Sequence, residues 1–231
     1  MTDFCDALGY KEHNCASYNL MRRSKSERHR CELNNATHEG NENDLEENPD
    51  YIYRGAKGTF HYDSDLWSNN EVFNVEGEQT VFDTQETKLT TYWDTGFTKI
   101  CLGMRIHGEE NINFLVINHV ADSLYSLIAD GQHRATSLGR DTWKTLIGSQ
   151  ASLQLNCNVE GFNTFCSGYD YSRARIGFVS NNENDCKWCD SRIGFGTGGY
   201  PQHHITCGNV AQHESDNGNQ FISAMDYIFV L

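Results

Sequence analysis

The tetrapeptide Arg-Ile-Gly-Phe occurs twice, at residues 175–178 and 192–195, on either side of a polar stretch that holds Cys186-Lys-Trp-Cys189. Short apolar runs bracketing Asn, Asp and Glu residues predict two strands that present a loop, so the motif points to a β fold around it. Within the loop Asn181, Glu183 and Asp185 fall at every second position and Asp190 follows. Carboxylate and amide oxygens from these four could converge on one hard cation, and calcium is the cofactor they suggest. An ordinary polar turn shows the same alternation; what binds the ion is a closed shell of oxygens.

Nine cysteines are spread over the chain, at positions 5, 15, 31, 101, 157, 166, 186, 189 and 207. A structural zinc site wants two close pairs, and there is one Cys-x-x-Cys with the rest widely scattered. A disulfide framework in an oxidising compartment is therefore expected. The sequon Asn35-Ala-Thr agrees with a secreted glycoprotein. Connectivity stays open at this level, and the odd count leaves one thiol over. Met1-Thr-Asp-Phe-Cys5 lacks the basic start and apolar core of a secretion leader, so a natural truncation or a fragment of a larger secreted protein is expected.

At 231 residues, with 12% aromatics, 20 Gly and 2 Pro, the chain can bury a real core and make many turns. No apolar run approaches the ~20 residues that a membrane-spanning helix needs, which predicts a soluble protein. A net charge of −14 argues against nucleic acid as a partner, since phosphate contacts require clustered Lys and Arg. The basic run at 22–30 and the acidic run at 39–50 read as solvated loops.

The character of the chain changes near residue 55. Residues 1–55 are polar, with strand-like islands at 15–20 and 31–35. In residues 56–231, β-leaning runs at 99–106, 114–118, 152–157, 174–180 and 224–230 alternate with Gly, Asn and Asp turns. One longer helix is predicted over residues 137–147 with Ser137 as its cap, weakened by Gly139. The expected fold class is mainly β (α+β), with many loops fixed by disulfides.

Cys15-Ala-Ser-Tyr-Asn-Leu, Cys31-Glu-Leu-Asn-Asn and Tyr51-Ile-Tyr-Arg resemble the second half of a PAN/apple domain. The stretches GTFHYDSDLWSN, KICLGM, NCNVEGFN, DSRIGFGTGG and AMDYIFVL resemble the fibrinogen-like domain of cnidarian secreted proteins, among them the skeletal organic matrix proteins of corals. The resemblance implies a partial PAN/apple-like domain over residues 1–55 and a fibrinogen-like domain over 56–231. The latter would lack its first strand, because the usual Gly-Trp-Thr-Leu-Val opening is missing before Gly58. Near the C-terminus, Cys207-Gly-Asn-Val210 replaces the aromatic pair that borders a binding pocket in vertebrate members. The implied role is a secreted extracellular matrix or adhesion module, non-catalytic and calcium-dependent. It would bind extracellular glycans or matrix proteins, in a mineral-associated matrix for instance. A calcium-dependent lectin of innate recognition and a secreted hydrolase are the alternatives. The acidic loop of such domains matches Asn181, Glu183, Asp185 and Asp190 here. For the bridges, Cys101, Cys157, Cys186 and Cys207 are expected to form one set, Cys166 to join Cys189, and Cys5 to join Cys15, leaving Cys31 unpaired.

Other residues carry weaker signals. His203, His204, Cys207 and His213 are donors suited to zinc or copper, although Cys207 in an oxidising compartment favours a disulfide. Ser123 beside Asp122, with His119 and His133, offers a nucleophile and a base but no strained elbow. The glycines at 194, 196, 198 and 199 precede Pro201 and not a helix, so they read as a tight turn and not a dinucleotide loop. Among the aromatics, Trp188 between its two cysteines is expected to face solvent, and with Tyr200 it forms the expected ligand-binding surface.

Overall fold

In the C-terminal strand, residues 224, 228 and 230 share one face of a sheet and 225, 227 and 229 the other, and both faces are buried. A strand covered on both sides reads as a nearly continuous apolar run, as Ala224-Met-Asp-Tyr-Ile-Phe-Val230 does. The structure is a computed structural model that describes residues 17–22, 29–34, 51–55, 58–75 and 85–231, with side chains over 58–75 and 85–231. Its strands are β1 (Ser17–Arg22), β2 (His29–Asn34), β3 (Tyr51–Gly55), β4 (Thr87–Lys88), β5 (Phe97–Ile106), β6 (Asn113–Ala121), β7 (Arg134–Ala135), β8 (Asn156–Phe165), β9 (Arg173–Asn181), β10 (Ser191–Gly198), β11 (Cys207–Ala211) and β12 (Gln220–Val230). Short helices α1 (Thr91–Asp94), α2 (Leu124–Ile128) and α3 (Arg140–Lys144) lie between them.

β1 and β2 pair with each other, and the other ten strands form one antiparallel sheet. β12 is its hinge. The residues from Ala224 to Val230 pair with β5, and from Asp226 they also pair with β3, while those from Gln220 to Ser223 pair with β11. From β11 the order continues through β10, β9, β8 and β7. The main core lies on one face, where Ile100, Leu102, Ile117 and Ile228 meet Leu127 and Ile128 of α2, Trp143 of α3, and Trp67 and Tyr92. Trp67 Nε1 donates to the His61 carbonyl at 2.9 Å, and the Tyr92 hydroxyl donates to the Trp67 carbonyl at 2.8 Å, so both polar tips are satisfied in the interior.

Residues 161, 177, 194 and 208, all glycine, are successive cross-strand partners from β8 to β11. The two Arg-Ile-Gly-Phe copies thus pair antiparallel, centred on Gly177 and Gly194. The sheet bends sharply along this row. A Cβ on Gly177 would lie 2.9 Å from the Cβ of Ala174, whereas a flat strand separates such positions by about 10 Å. A side chain on Gly177 or Gly194 would also meet the backbone carbonyl of Ile193 or Ile176 at 2.5 Å. Glycine is needed here for space, as at a barrel corner.

Several expectations change. Tyr51–Gly55 pairs with β12, so the large sheet includes residues on both sides of residue 55. Residues 152–154 are not strand. Their amides go to side chains instead: Ser152 N to Asn209 Oδ1, Leu153 N to Asp216 Oδ1 and Gln154 N to Ser191 Oγ, at 2.8, 3.0 and 2.9 Å. The predicted helix shrinks to α3 because Gly139, at φ 83°, caps it in place of Ser137. Cys101 and Cys207 are buried and take no part in the two bridges described below. They cannot be joined to each other. Cys101 pairs across to Phe229, and Cys207 lies opposite the Ala224 end of β12, five residues away, about 16 Å along the strand against a Cα limit near 7 Å for a bridge. Cys5, Cys15, the Cys31 side chain and the Asn35 sequon lie outside the described residues.

Candidate functional site

Bending at the glycine row brings both ends of β8 and β9 to one side of the sheet. Cys157 near the start of β8 and Cys166 just after its end therefore reach the same loop, through bridges Cys157–Cys186 and Cys166–Cys189. The segment 167–172 runs beside residues 186–189: Ser167 N donates to Cys186 O, Gly168 N to Lys187 O and Ser172 N to Cys189 O, at 2.9, 2.7 and 3.0 Å. Two covalent and three backbone ties hold this loop.

Trp188 sits on top. Its ring lies against Gly168, where a Cβ would be 2.7 Å from Cδ1, and the Lys187 ammonium is 4.3 Å from the ring centroid. With its backbone fixed, the indole stays 45% exposed. Tyr169 next along is 96% exposed, and Tyr200 is 38% exposed. Tyr200 N donates to the Asp170 carbonyl, its ring packs edge-on against Tyr171 at 5.7 Å, and a cis peptide bond joins it to Pro201. Three partly or fully exposed rings thus follow one loop edge.

Beneath them Arg192 is completely buried. Its guanidinium donates to the Ser172 hydroxyl and to the carbonyls of Gly199, Tyr200, Gln202 and Ile205, which ties the β10–β11 loop to the β8–β9 loop. Burial lowers its pKa to about 9.

The four expected calcium ligands do not form an oxygen cage. Asn181 and Asp190 are buried, Glu183 and Asp185 exposed. The Asn181 amide nitrogen donates to the Asp185 carboxylate at 3.1 Å and the Lys187 amide donates to the same carboxylate oxygen at 2.9 Å, so Asp185 closes the turn. Burial raises the pKa of Asp190, with Glu183 adding to the rise and Gln154 and His213 opposing it. Among the described residues, the group of three whose donor atoms lie within 4.8 Å of one another is Cys157, Cys166 and Cys189; the carboxylates form no such group.

The weaker candidates separate. Ser123 caps α2, its hydroxyl accepting from Ser126 N at 3.1 Å in a reciprocal capping box. His119 lies tilted against Phe162, with ring centroids 5.1 Å apart, and His133 contacts the Glu160 carbonyl. His203 approaches Asp170 at 3.6 Å, and His213 approaches the Tyr200 hydroxyl at 3.5 Å. Burial and the nearby Asp226 push the Cys207 thiol well up, as for a packed core thiol. Sequence reasoning missed the part of segment 167–172, and Gly168 following directly on Cys166-Ser167 was its available signal. Comparison with family models, curated proteins and solved structures returns no match for this chain.

Proposed function

We propose that the protein is a secreted recognition module that binds an extracellular glycan or matrix protein through the loop edge of Trp188, Tyr169 and Tyr200, without catalysing a reaction. The observation that carries this reading is Trp188, a large ring held outward by two disulfides and by a neighbouring glycine that leaves room for it. A pre-ordered aromatic loses little entropy when a sugar ring or an apolar side chain stacks on it. The resemblance of 56–231 to fibrinogen-like domains and of 1–55 to a PAN/apple domain supports an adhesion or matrix setting. Trp188→Ala is expected to weaken binding to an immobilised glycan array or matrix extract by about 2 kcal/mol, near thirtyfold, while stability changes by less than about 0.5 kcal/mol. Unchanged binding with a preserved melt moves the site elsewhere.

Calcium belongs to this reading as the ion of the loop with Asn181, Glu183, Asp185 and Asp190. It requires the buried Asp190 to turn outward, so binding should reorganise the loop. A saturating ion at a hundredfold excess over Kd would raise stability by about 2.7 kcal/mol, a gain that Asp185→Ala removes. A melt identical in calcium and in chelator discards the ion and leaves the aromatic surface standing.

A further inference from the structure

We infer that Cys157, Cys166, Cys186 and Cys189 form a latent tetrahedral zinc site, closed while they are paired as two disulfides and opened when a dithiol reduces both. The inference stands on sulfur geometry and does not depend on the recognition reading.

The two bridges touch. Cys157 Sγ lies 3.7 Å from Cys166 Sγ and 3.8 Å from Cys189 Sγ. A tetrahedral site with Zn–S bonds of about 2.3 Å has edges of about 3.8 Å between its sulfurs, so these two contacts between bridges already have the required length. The two bonded pairs have to part, and Cys186 Sγ, which stands outside the group of three sulfurs within 4.8 Å of one another, has to swing in toward Cys166 and Cys189 from its exposed position. The sequence offers one Cys-x-x-Cys, and the fold supplies the second pair by bending β8 until its two terminal cysteines meet. Reduction does not dissolve the arrangement, because the hydrogen bonds from Ser167, Gly168 and Ser172 to the 186–189 segment are independent of the bridges, as is the glycine row. Cys157, Cys166 and Cys189 would then stand as three thiols within 4.8 Å of one another, with Cys186 on the same tied loop as the fourth donor, and soft, closely spaced thiolates select zinc.

Exposure sets the order of opening. Cys186 faces solvent, whereas Cys166 and Cys189 are 6% and 0% exposed. A thiolate of the dithiol attacks Cys186 Sγ, forms a mixed disulfide there and expels Cys157 as thiolate; the second thiol of the reductant then displaces Cys186 and leaves as its cyclic disulfide. Cys157, already against the inner bridge, attacks Cys189 Sγ and releases Cys166. A second dithiol reduces the new Cys157–Cys189 bond. Two dithiols thus become two disulfides and leave four protein thiols, and one Zn²⁺ replaces their four protons.

The test uses the whole chain, reduced anaerobically with a phosphine and desalted. One equivalent of zinc should slow alkylation of Cys157, Cys166, Cys186 and Cys189 on the order of tenfold or more, as mapped by peptide mass, while Cys5, Cys15 and Cys31 alkylate as before. Cobalt in place of zinc should give the visible and charge-transfer bands of a tetrahedral thiolate site. Those bands should be absent from the unreduced protein, absent from Cys157→Ser with Cys189→Ser, and kept in Cys5→Ser with Cys15→Ser and Cys31→Ser. Equal alkylation of the four with and without zinc overturns the proposal, and needs no variant to fold. Protection that falls on the N-terminal cysteines instead also overturns it.

Discussion

The half of the sheet built on β5, β6 and the end of β12 and the half built on β8 to β11 are stabilised by different means. In the first, Ile100, Leu102, Leu115, Ile117 and Ile228 interlock on one face and Phe114, Tyr227 and Phe229 on the other. In the second, a row of glycines crosses the strands, and beside the apolar Phe162, Ile176, Phe178, Ile193 and Phe195 the interior also holds a network of buried polar side chains. Asn209 donates to the carbonyls of Ser152 and Arg192 and accepts from Ser152 N, Ser180 and Ser191 share a hydroxyl contact of 2.7 Å, and the Gln154 side chain bonds to residues of two loops. Apolar packing gives a rigid platform that tolerates little shape beyond a twisted sheet. A bent sheet fixed by hydrogen bonds and sulfur can bring remote loop ends together, and that is where the exposed rings lie.

If the bend depends on the absence of side chains, the largest effect of a single substitution should come at the glycine row. Gly194→Ala places a methyl against a backbone carbonyl that cannot move alone, and should cost about 4 kcal/mol or more, or prevent folding. Gly218→Ala is the control: φ is 70° with open space around it, so the cost should be that of a left-handed alanine, about 1 to 2 kcal/mol. Gly194 has no left-handed φ, so a loss no larger than that at Gly218 in urea unfolding would mean that close approach does not hold the row.

A next step compares the two interiors directly. Leu102→Ala removes packing atoms in the apolar half and should cost about 3 kcal/mol. Asn209→Ala leaves three buried backbone groups without partners and should cost about 2 to 3 kcal/mol, with little cavity term. Hydrogen exchange separates them: the first should speed exchange in β5 and β6, the second around residues 152–154 and β11. A uniform rise across the sheet in both variants would show that the halves open as one unit.

What could be read in advance follows the same division. The runs at 99–106, 174–180 and 224–230 were legible as strands because apolar and β-branched residues dominate them. The Arg-Ile-Gly-Phe repeat was legible as a pair presenting a loop, and Trp188 as exposed, because local chemistry decides both. The bend was not legible: Gly161 and Gly208 stand in unrelated local sequences and become partners of Gly177 and Gly194 only through register. Residues 152–154 look like a strand, yet their amides are claimed by Asn209, Asp216 and Ser191 from distant parts of the chain. Cys101 and Cys207 could not be assigned for the same reason, since what separates them is their position along β12.

Glu160 joins the two halves, and its effect should be the smallest and the most sensitive to pH. Its carboxylate accepts from Trp143 Nε1, Thr136 Oγ1, Leu138 N and Gly139 N at 2.8, 2.8, 3.0 and 3.0 Å, so a β8 side chain organises the start of α3, which packs its indole into the main core. Partial burial raises the pKa of this group, but the four donors outweigh it and hold the carboxyl below its ordinary 4.5. A carboxylate with a depressed folded-state pKa adds stability that is complete above the unfolded value and is lost as pH falls through the folded one. The wild-type melt should therefore decline from about pH 5 downward with a contribution that Glu160→Gln lacks, and the variant should be less stable by about 1 to 2 kcal/mol at pH 7. The two curves should converge in acid. Parallel curves from pH 7 to 3 would mean that the carboxylate charge is not what anchors α3 to β8, and that the indole packing alone joins the helix to the bent half.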